Sequence, residues 1–377
     1  VEIARGLLDR LGISYEMHDR ILFVIRNHLE MTRFANKFDL DDPDVIDSYA
    51  QFIEGEQRLR FLYVHTFCDA NATAPDLWND HKEELHTQLF VNTLNVLEGK
   101  HARKDPSVLK NAYTEIEVNG VSQKELIDHL EQVPERYFSH AGKEEVALHV
   151  DMVHRFAHNG NDKGKPILSW RNDVRRTLTI VDIVTRDRPA LFEKIAGGFS
   201  VAGLNILGAR AVTRKDGIAI DVFYVEGEKG GIVNDTKTRE LCESSIYNFL
   251  ENETSPDQLI REKRKKTNNN RLFSNEDRLG ERIPPRVDVY NDVSLDLIIV
   301  EVRAADQVGL LHLIAKTISK CGFSIQFARV ATEQGIATDV FNIEKSADDK
   351  KFSPSQFLQL REELSESLTA GKYYLEV

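Results

Sequence analysis

The chain has 377 residues, of which 41% are hydrophobic and 29% are charged. This length predicts two or three domains, because single cores rarely grow past about 250 to 300 residues. The net charge of -12 and the pI near 5.5 argue against a nucleic-acid-binding surface, since binding phosphates requires a basic face. The sequence has no apolar run that could cross a bilayer, so we expect a soluble, cytoplasmic protein without a membrane partner.

The cysteines and the start of the chain add two constraints. Cys68, Cys242 and Cys321 are too few and too far apart for a disulfide framework or a CxxC metal site, which fits a reducing cytosol. The sequence begins at Val1 directly in helix-like residues and has no leader pattern, so we expect it to continue upstream.

Residues 1–158 carry apolar side chains at helical spacing and predict an all-helical domain. Leu22, Ile25 and Leu29, for example, fall on one helical face. Pro43 marks a point where one helix ends or the next begins. The polar, glycine-containing stretch that follows predicts a linker at 159–177.

Residues 178–252 change period and predict a small α+β domain. Strand-like, helix-like and hairpin-like segments follow one another, with Gly203 as the helix stop and Asp216-Gly217 as the hairpin turn. The predicted elements are strands Leu178–Val184, Leu204–Thr213 and Ile218–Val225, and helices Ala190–Ala202 and Thr236–Leu250.

The same order returns in residues 291–377, after a second polar linker at 253–290. A last helix from Pro354 to Leu368 and a last strand from Tyr373 to Val377 complete a ferredoxin-like βαββαβ pattern there, although no clear fourth strand follows the second helix of the first copy. This is an internal repeat within an α+β protein. Matching positions are Asp187 and Asp306, Leu191 and Leu310, Gly203 and Gly322, Arg210 and Arg329, and Asp221 and Asp339.

The second linker contains a basic cluster at 261–271, REKRKKTNNNR. This cluster could bind phosphate, or it could be a solvated linker or helix end. We favour the second interpretation because no aromatic residues alternate with the basic ones.

In both copies a loop connects the first predicted strand to the first helix, DRPALF at 187–192 and DQVGLL at 306–311. Backbone N–H groups at a helix N-terminus suit a carboxylate. Asp187 and Asp306 could meet the ammonium group of an amino acid, or they could simply be the N-cap residues of their helices. Gly309 permits close backbone approach, whereas Ala190 is less permissive.

The repeated pattern D-x-x-G/A-L-L/F, G-x-N/S-I, A-R-x-x-T and I-A-x-D-x-F resembles the ACT domain. This resemblance implies amino-acid binding at the interface between paired copies, with the start of each second strand facing the ligand. The ligand-binding residues that it implies are Asp187, Arg188, Ala190, Leu191 and Asn205 in the first copy, and Asp306, Gln307, Gly309, Leu310 and Ser324 in the second.

The helical part resembles the HD-type domain of the family of bifunctional uridylyltransferase and uridylyl-removing enzymes, which also ends in two ACT domains. The resemblance rests on RNHLEM at 26–31, DLDDPDVI at 39–46 and DANATAPDLWNDHK at 69–82. It implies a transferase domain upstream that attaches UMP to the signal protein PII, an HD-type domain that removes UMP, and an ACT pair that senses glutamine.

HD-type hydrolysis needs a divalent metal, Mg²⁺ or Mn²⁺ in this family, to activate water. The resemblance carries over His28 and Asp69 as metal ligands and places the defining His-Asp dyad before Val1. The domain is thus expected to be truncated, to retain metal poorly and to hydrolyse PII-UMP weakly or not at all, so whether this stretch is itself an enzyme stays open. We interpret His18-Asp19 as a chance dipeptide and His65 as a helix-packing residue.

Two other functions remain open from the sequence. One is a non-catalytic regulator that binds an amino acid and contacts a partner protein. The other is a stand-alone HD phosphohydrolase that acts on a nucleotide. A transferase motif upstream of Val1 would favour the bifunctional enzyme over both.

Overall fold

The computed structural model describes residues 1–73, 78, 80–100, 106–158, 164–252, 254–271, 284–292, 297–333, 335–345 and 353–373. The chain divides into two compact units, Val1–Leu109 and Lys110–Val377. None of the described helices combines the length and apolar character that a membrane span requires.

The first unit is helical, as its periodicity predicts. Pro43 opens a helix, where Asp42 acts as N-cap and its carboxylate accepts a hydrogen bond of 2.9 Å from the Asp44 amide. Fully buried Phe34 and Tyr49 pack against each other in the core. The helices are α1 Glu2–Arg10, α2 Tyr15–Asn27, α3 Glu30–Lys37, α4 Pro43–Ile53, α5 Glu56–Thr73 and α6 Asp80–Leu97.

Three further helices, which lie within the stretch 1–158 that the sequence predicts to be helical, belong to the second compact unit. The helix that starts at Gln123 begins with a capping box between Ser122 and Glu125, and the helix that starts at Lys143 packs against the first two strands of the sheet. These helices are α8 Gln123–Gln132, α9 Glu135–His140 and α10 Lys143–His158, and a fourth helix, α7 Pro106–Tyr113, includes the residues at which the two units divide.

The second unit is built on one antiparallel sheet of eight strands, in the order β1-β2-β4-β3-β7-β8-β6-β5. The strands are β1 Ile167–Asp173, β2 Leu178–Arg186, β3 Asn205–Thr213, β4 Ile218–Glu226, β5 Arg286–Asp292, β6 Leu297–Ala305, β7 Phe323–Glu333 and β8 Ile336–Lys345. The remaining helices are α11 Leu191–Ala202, α12 Thr236–Glu251, α13 Asp257–Arg271, α14 Leu310–Lys320 and α15 Pro354–Tyr373.

The predicted α+β class is confirmed, with a helical part followed by two similar modules. Within each module the described order is ββαββα rather than βαββαβ. An additional strand, β1 or β5, precedes the predicted first strand and fills the sheet edge beside it. β1 lies inside the segment predicted as a linker at 159–177. Tyr373 ends helix α15, and residues 374–377 of the predicted last strand lie outside the described residues.

The two modules join through their second hairpins. β3 and β7 pair antiparallel, so that Gly208 faces Arg329, Ala209 faces Ala328 and Arg210 faces Phe327. Because Ala209 meets its own repeat equivalent, the modules are related by an internal pseudo-two-fold axis. This pairing also brings the C-terminal end of β3 beside the N-terminal end of β7.

Candidate ligand-binding site

The loop before α11 sits on the end of the β3–β4 hairpin. The Asp187 amide donates to the Gly217 carbonyl at 2.8 Å, and the Asp187 carboxylate accepts a hydrogen bond of 3.3 Å from the Thr213 hydroxyl. The N-cap of α11 is Ala190, in the left-handed region at φ 62°, so Asp187 does not cap this helix. The exposed Asp187 carboxylate is therefore placed at the mouth of the loop.

The loop before α14 repeats this arrangement. The Asp306 amide donates to the Gly335 carbonyl at 2.9 Å, and the N-cap of α14 is Gly309 at φ 78°. A Cβ atom at Gly309 would lie 2.5 Å from the Ile260 side chain, so glycine allows both the left-handed backbone and a close approach. The group that approaches Gly309 is helix α13 of the same chain.

Helix α13 lies across both modules and contains the basic cluster. Lys263 donates to the Val201 carbonyl at 3.1 Å, and Arg264 donates to the Val308 carbonyl at 2.5 Å. Burial lowers the pKa of Arg264. The cluster is the C-terminal part of a helix, which confirms the helix-end alternative of the prediction, whereas the packing of Lys263 and Arg264 against the modules differs from a solvated linker.

The start of α13 is held by an ion-pair network with α14. Asp257 accepts hydrogen bonds from His312 at 3.0 Å and from Lys316 at 2.5 Å. The hydrogen bond from His312 is the main reason why the pKa of Asp257 is far below its usual range, and Lys316 adds to it. His312 also bonds to the Glu193 carbonyl of α11 at 2.8 Å, so one side chain ties three helices together.

Several predicted ligand residues already have partners within the chain. Arg188 donates to the Leu250 carbonyl at 2.7 Å and so completes the end of α12. Leu191 and Leu310 are buried in the core. Their backbone amides donate to the carbonyls of Arg188 and Gln307, so neither amide points into the loop for a ligand.

Asn205 and Ser324 lie at the start of β3 and β7, as predicted. The Asn205 amide is 3.4 Å from both the Glu226 carboxylate and the Gly227 carbonyl. Antiparallel pairing of β3 with β7 places Ser324 at the sheet end that holds the Asp187 loop. The pairing thus brings predicted residues of the two modules to the same ends of the sheet.

Two buried carboxylates beneath these loops were not predicted as site residues. Asp221 on β4 is 3% exposed, and burial, together with the charge of Asp187, raises its pKa to about 8. Asp339 on β8 is 1% exposed, and burial, together with the charge of Asp306, raises its pKa well above the usual range. The available signal was an aspartate repeated within two otherwise apolar strands.

The opposite face of the first module carries a buried polar network under α9 and α10. Arg171 donates two hydrogen bonds of 2.7 Å to Asp182, and His149 lies 3.2 Å from the same carboxylate. Tyr137 connects His149, at 2.9 Å, to His129, at 3.4 Å. Burial alone would raise the pKa of Asp182, but the hydrogen bonds from His149 and Arg171 outweigh it and lower this pKa.

The network continues to the β3–β4 turn. Buried Arg214 donates to His129 at 3.0 Å and forms ion pairs with Asp128 and Asp216. Burial, with the charge of Arg214, lowers the pKa of His129 well below its usual value. Helices α8 to α10 are thus bonded to the same module that carries the Asp187 loop.

The predicted metal ligands lie in the first unit. His28 ends α2, with Nδ1 3.1 Å from the Ile25 carbonyl, and Asp69 is exposed on α5. The ring of His65, interpreted as a packing residue, has its centroid 6.0 Å from that of His28. Imidazole and carboxylate donors suit a divalent metal, so the residues fit the chemistry in kind, and their metal role stays a prediction.

Other side chains of metal-binding type have internal partners. His18 lies 3.6 Å from Asp9, whereas the neighbouring Asp19 pairs with Arg58 at 2.7 Å, so the dipeptide does not form one site. Within the described residues, close groups of three are Glu125 with His154 and His158, and Glu145 with His149 and Asp182. Neither group includes His28 or Asp69.

The fold is that of an α+β protein in which helices precede two ACT-like modules joined in one sheet. No protein-family model matches the chain. The chain is 29% identical over 97% of its length to the bifunctional uridylyltransferase/uridylyl-removing enzyme of Caulobacter vibrioides. It is 30% identical over 97% to the enzyme of this name from Ralstonia nicotianae, and 27% identical over 98% to that from Rhodospirillum rubrum.

These matches confirm the resemblance seen in the sequence: the chain is homologous over almost its whole length to bifunctional uridylyltransferase/uridylyl-removing enzymes. It spans 38% of the Caulobacter protein, 41% of the Ralstonia protein and 39% of the Rhodospirillum protein. The activities of the full-length relatives are therefore only proposed for this chain.

Proposed function

We propose that this chain is the hydrolytic and sensory portion of a cytoplasmic bifunctional enzyme that attaches UMP to the signal protein PII and removes it. The observation that carries the proposal is the pair of equivalent loops, held in register by β3–β7 pairing, in a chain homologous to enzymes of that name. In this proposal the module pair binds glutamine and the helical part removes UMP.

The module pair is proposed to bind glutamine at the ends of the sheet where the two modules meet. Asp187 and Asp306 would contact the ligand from the loops, and Ser324 and Asn205 from the neighbouring strands. Ligand binding can shift an enzyme from one activity to another only if the ligand binds one conformation of the enzyme more tightly than the other. The bonds of α8–α10 to β2 and to the β3–β4 turn, on which the Asp187 loop rests, connect the preceding helices to that loop indirectly.

Calorimetric titration of the chain with glutamine tests the sensory role. Glutamine is expected to bind and to lose affinity by about tenfold or more in Asp187→Asn, because a charged hydrogen-bond partner is removed. Asp288→Asn on β5, a half-exposed carboxylate paired only with Arg286 in the described structure, is the matched control. Heat from another common amino acid, with none from glutamine, would contradict the assignment of the ligand.

The helical part is proposed to hold a divalent metal, Mg²⁺ or Mn²⁺, through His28 and Asp69. When bound, such a metal activates water for attack on the phosphodiester. His28 and Asp69 supply two donors, whereas metal sites usually draw three or more from the protein.

Release of UMP from uridylylated PII in the presence of Mn²⁺ tests the hydrolytic role. The chain is expected to release UMP slowly or not at all, and any residual activity should disappear in Asp69→Ala and with a chelator. Rapid metal-dependent release of UMP would contradict the prediction that this chain has too few metal ligands. Activity that persists unchanged in both His28→Ala and Asp69→Ala would remove these residues from the site.

A further inference from the structure

Each module buries one carboxylate at the same place under its ligand loop. Asp221 lies on β4 opposite Ile183 and Ala211, and Asp339 lies on β8 opposite Val302 and Val330. Side chains two residues away on the same face, such as Phe223 and Phe341, are in the hydrophobic core beneath the helices. Both aspartates therefore point into the core side of the sheet, at equivalent positions of the repeat.

Two buried polar groups in these places are poorly satisfied. Within the described structure no hydrogen bond of good geometry reaches either carboxylate oxygen of Asp339, and the Ala331 backbone offsets only part of the effect of burial on its pKa. The hydroxyl of Thr185, which is 1% exposed, also has no hydrogen-bond partner among the described residues. Thr185 lies opposite Ala219 and so faces the same side as Asp221, one step closer to the loop. Burying an unpartnered polar group destabilises a fold, and an apolar side chain would serve packing better.

A second carboxylate stands at the mouth of each loop. Asp187 and Asp306 are the charged groups that act on Asp221 and Asp339, respectively. The loop aspartates are exposed, whereas Asp221 and Asp339 are buried, so burial and the neighbouring negative charge both favour the protonated form of the buried carboxyl until a cation replaces the proton. The arrangement in each module is thus complementary to one compact positive charge that carries hydrogen-bond donors.

We propose that Asp221 and Asp339 receive the protonated amine of the ligand, with Asp187 and Asp306 closing the site from the loop side and the hydroxyl of Thr185 adding an acceptor in the first module. This inference rests on the proposed function and identifies what selects an amino acid at that site. A protonated amine has three donors for the carboxylate and hydroxyl oxygens. The carboxylate pair gives up its proton to solvent when the amine enters.

The test is selectivity between glutamine and its deamino analogue, glutaramate, measured by calorimetry. The wild-type chain is expected to prefer glutamine by at least about 30-fold, because truncating one member of a buried charge pair has effects of this size. Asp221→Asn and Asp339→Asn keep the side-chain volume, and together they should reduce the preference to near one. Asp288→Asn, on the exposed part of β5, should keep it.

A merely structural role would weaken both compounds equally, which leaves their ratio unchanged and overturns the inference. The single variants test the modules separately, so failure of one variant to fold leaves the other to decide. Ammonium chloride provides a further arm. If it binds in an Asp221-dependent manner while glutamine does not bind, the amine site stands and the proposed glutamine function fails.

If glutamine binds but both variants retain the preference, the proposed function stands and this inference fails. If the wild-type chain binds neither glutamine nor ammonium ion, both fail. Calorimetry in buffers of different ionisation enthalpy measures the protons released on binding. The wild-type chain should release a proton when glutamine binds, and the double variant should not.

Discussion

Replacing Asp182 by alanine is expected to lower the free energy of unfolding of the second unit by about 3–5 kcal/mol, because it removes one member of a buried charge pair. Asp182 is 0% exposed and accepts hydrogen bonds from Arg171 and His149, which would both lose this acceptor and keep only Glu145 and Tyr137, respectively, as partners among the described contacts. Denaturant unfolding measures the loss, and hydrogen exchange in α10 should increase because this helix is bonded to the sheet through His149.

Asp151→Ala is the control for this variant. Asp151 also forms an ion pair, with Arg155, but the pair lies on the solvent side of α10, where such pairs contribute about 1 kcal/mol or less. Equal losses in the two variants would mean that the network under α10 does not hold the helix to the sheet.

The pKa of Asp182 also sets the direction of a pH effect. Its folded pKa is below the unfolded value of 3.8, so its contribution to stability is present above that value. The contribution is lost as the pH falls through the folded pKa. The alanine variant should therefore differ most from the wild type near neutral pH and least in strong acid.

Asp221→Asn is expected to raise the stability of the protein near neutral pH. The pKa of Asp221 rises from 3.8 to about 8 on folding, so the folded state prefers the protonated form and stability falls as the pH increases between these values. Removing this titration should add about 4 kcal/mol at pH 7, an order-of-magnitude figure from 1.36 kcal/mol for each pH unit above 3.8. The melting temperature of the variant minus that of the wild type should grow from pH 4 to pH 8.

A difference in melting temperature that is constant with pH would contradict this account of Asp221. Asp288→Asn should show only a small and constant offset, since that carboxylate is partly exposed. A variant that gains stability and loses ligand selectivity would show the trade-off that is common at binding sites.

The repeat could be predicted because its signals are local. Alternating apolar residues, glycine at helix ends and a glycine-containing turn act over a few residues, and the signals at Gly203 and Asp216-Gly217 recur at Gly322 and Gln334-Gly335. The sequence did not predict β1, ILSWRND, because one of its two faces carries polar residues. On that face Arg171 contacts Glu145 of helix α10. Only the tertiary arrangement reveals that this polar side is half-buried.

The candidate site was predictable in its loops but not in its interior. Backbone amides before a helix and an aspartate beside them can be recognised in a sequence, and the structure places both loops on hairpin ends. That Asp221 and Asp339 are buried follows from strand register, and that Leu191 and Leu310 use their amides internally follows from turn geometry. Neither property is encoded in the local pattern.

Helix α13 makes two otherwise equivalent halves unequal. In the second module it packs against Gly309 and bonds to the Val308 carbonyl of the loop. In the first module it bonds instead to the Val201 carbonyl, at the C-terminal end of α11. Under the proposed function, a ligand that reaches Gly309 in the second loop has to displace Ile260, so the two loops are expected to bind it with different affinities. Two binding affinities would extend the response over a wider range of ligand concentrations than two identical sites would.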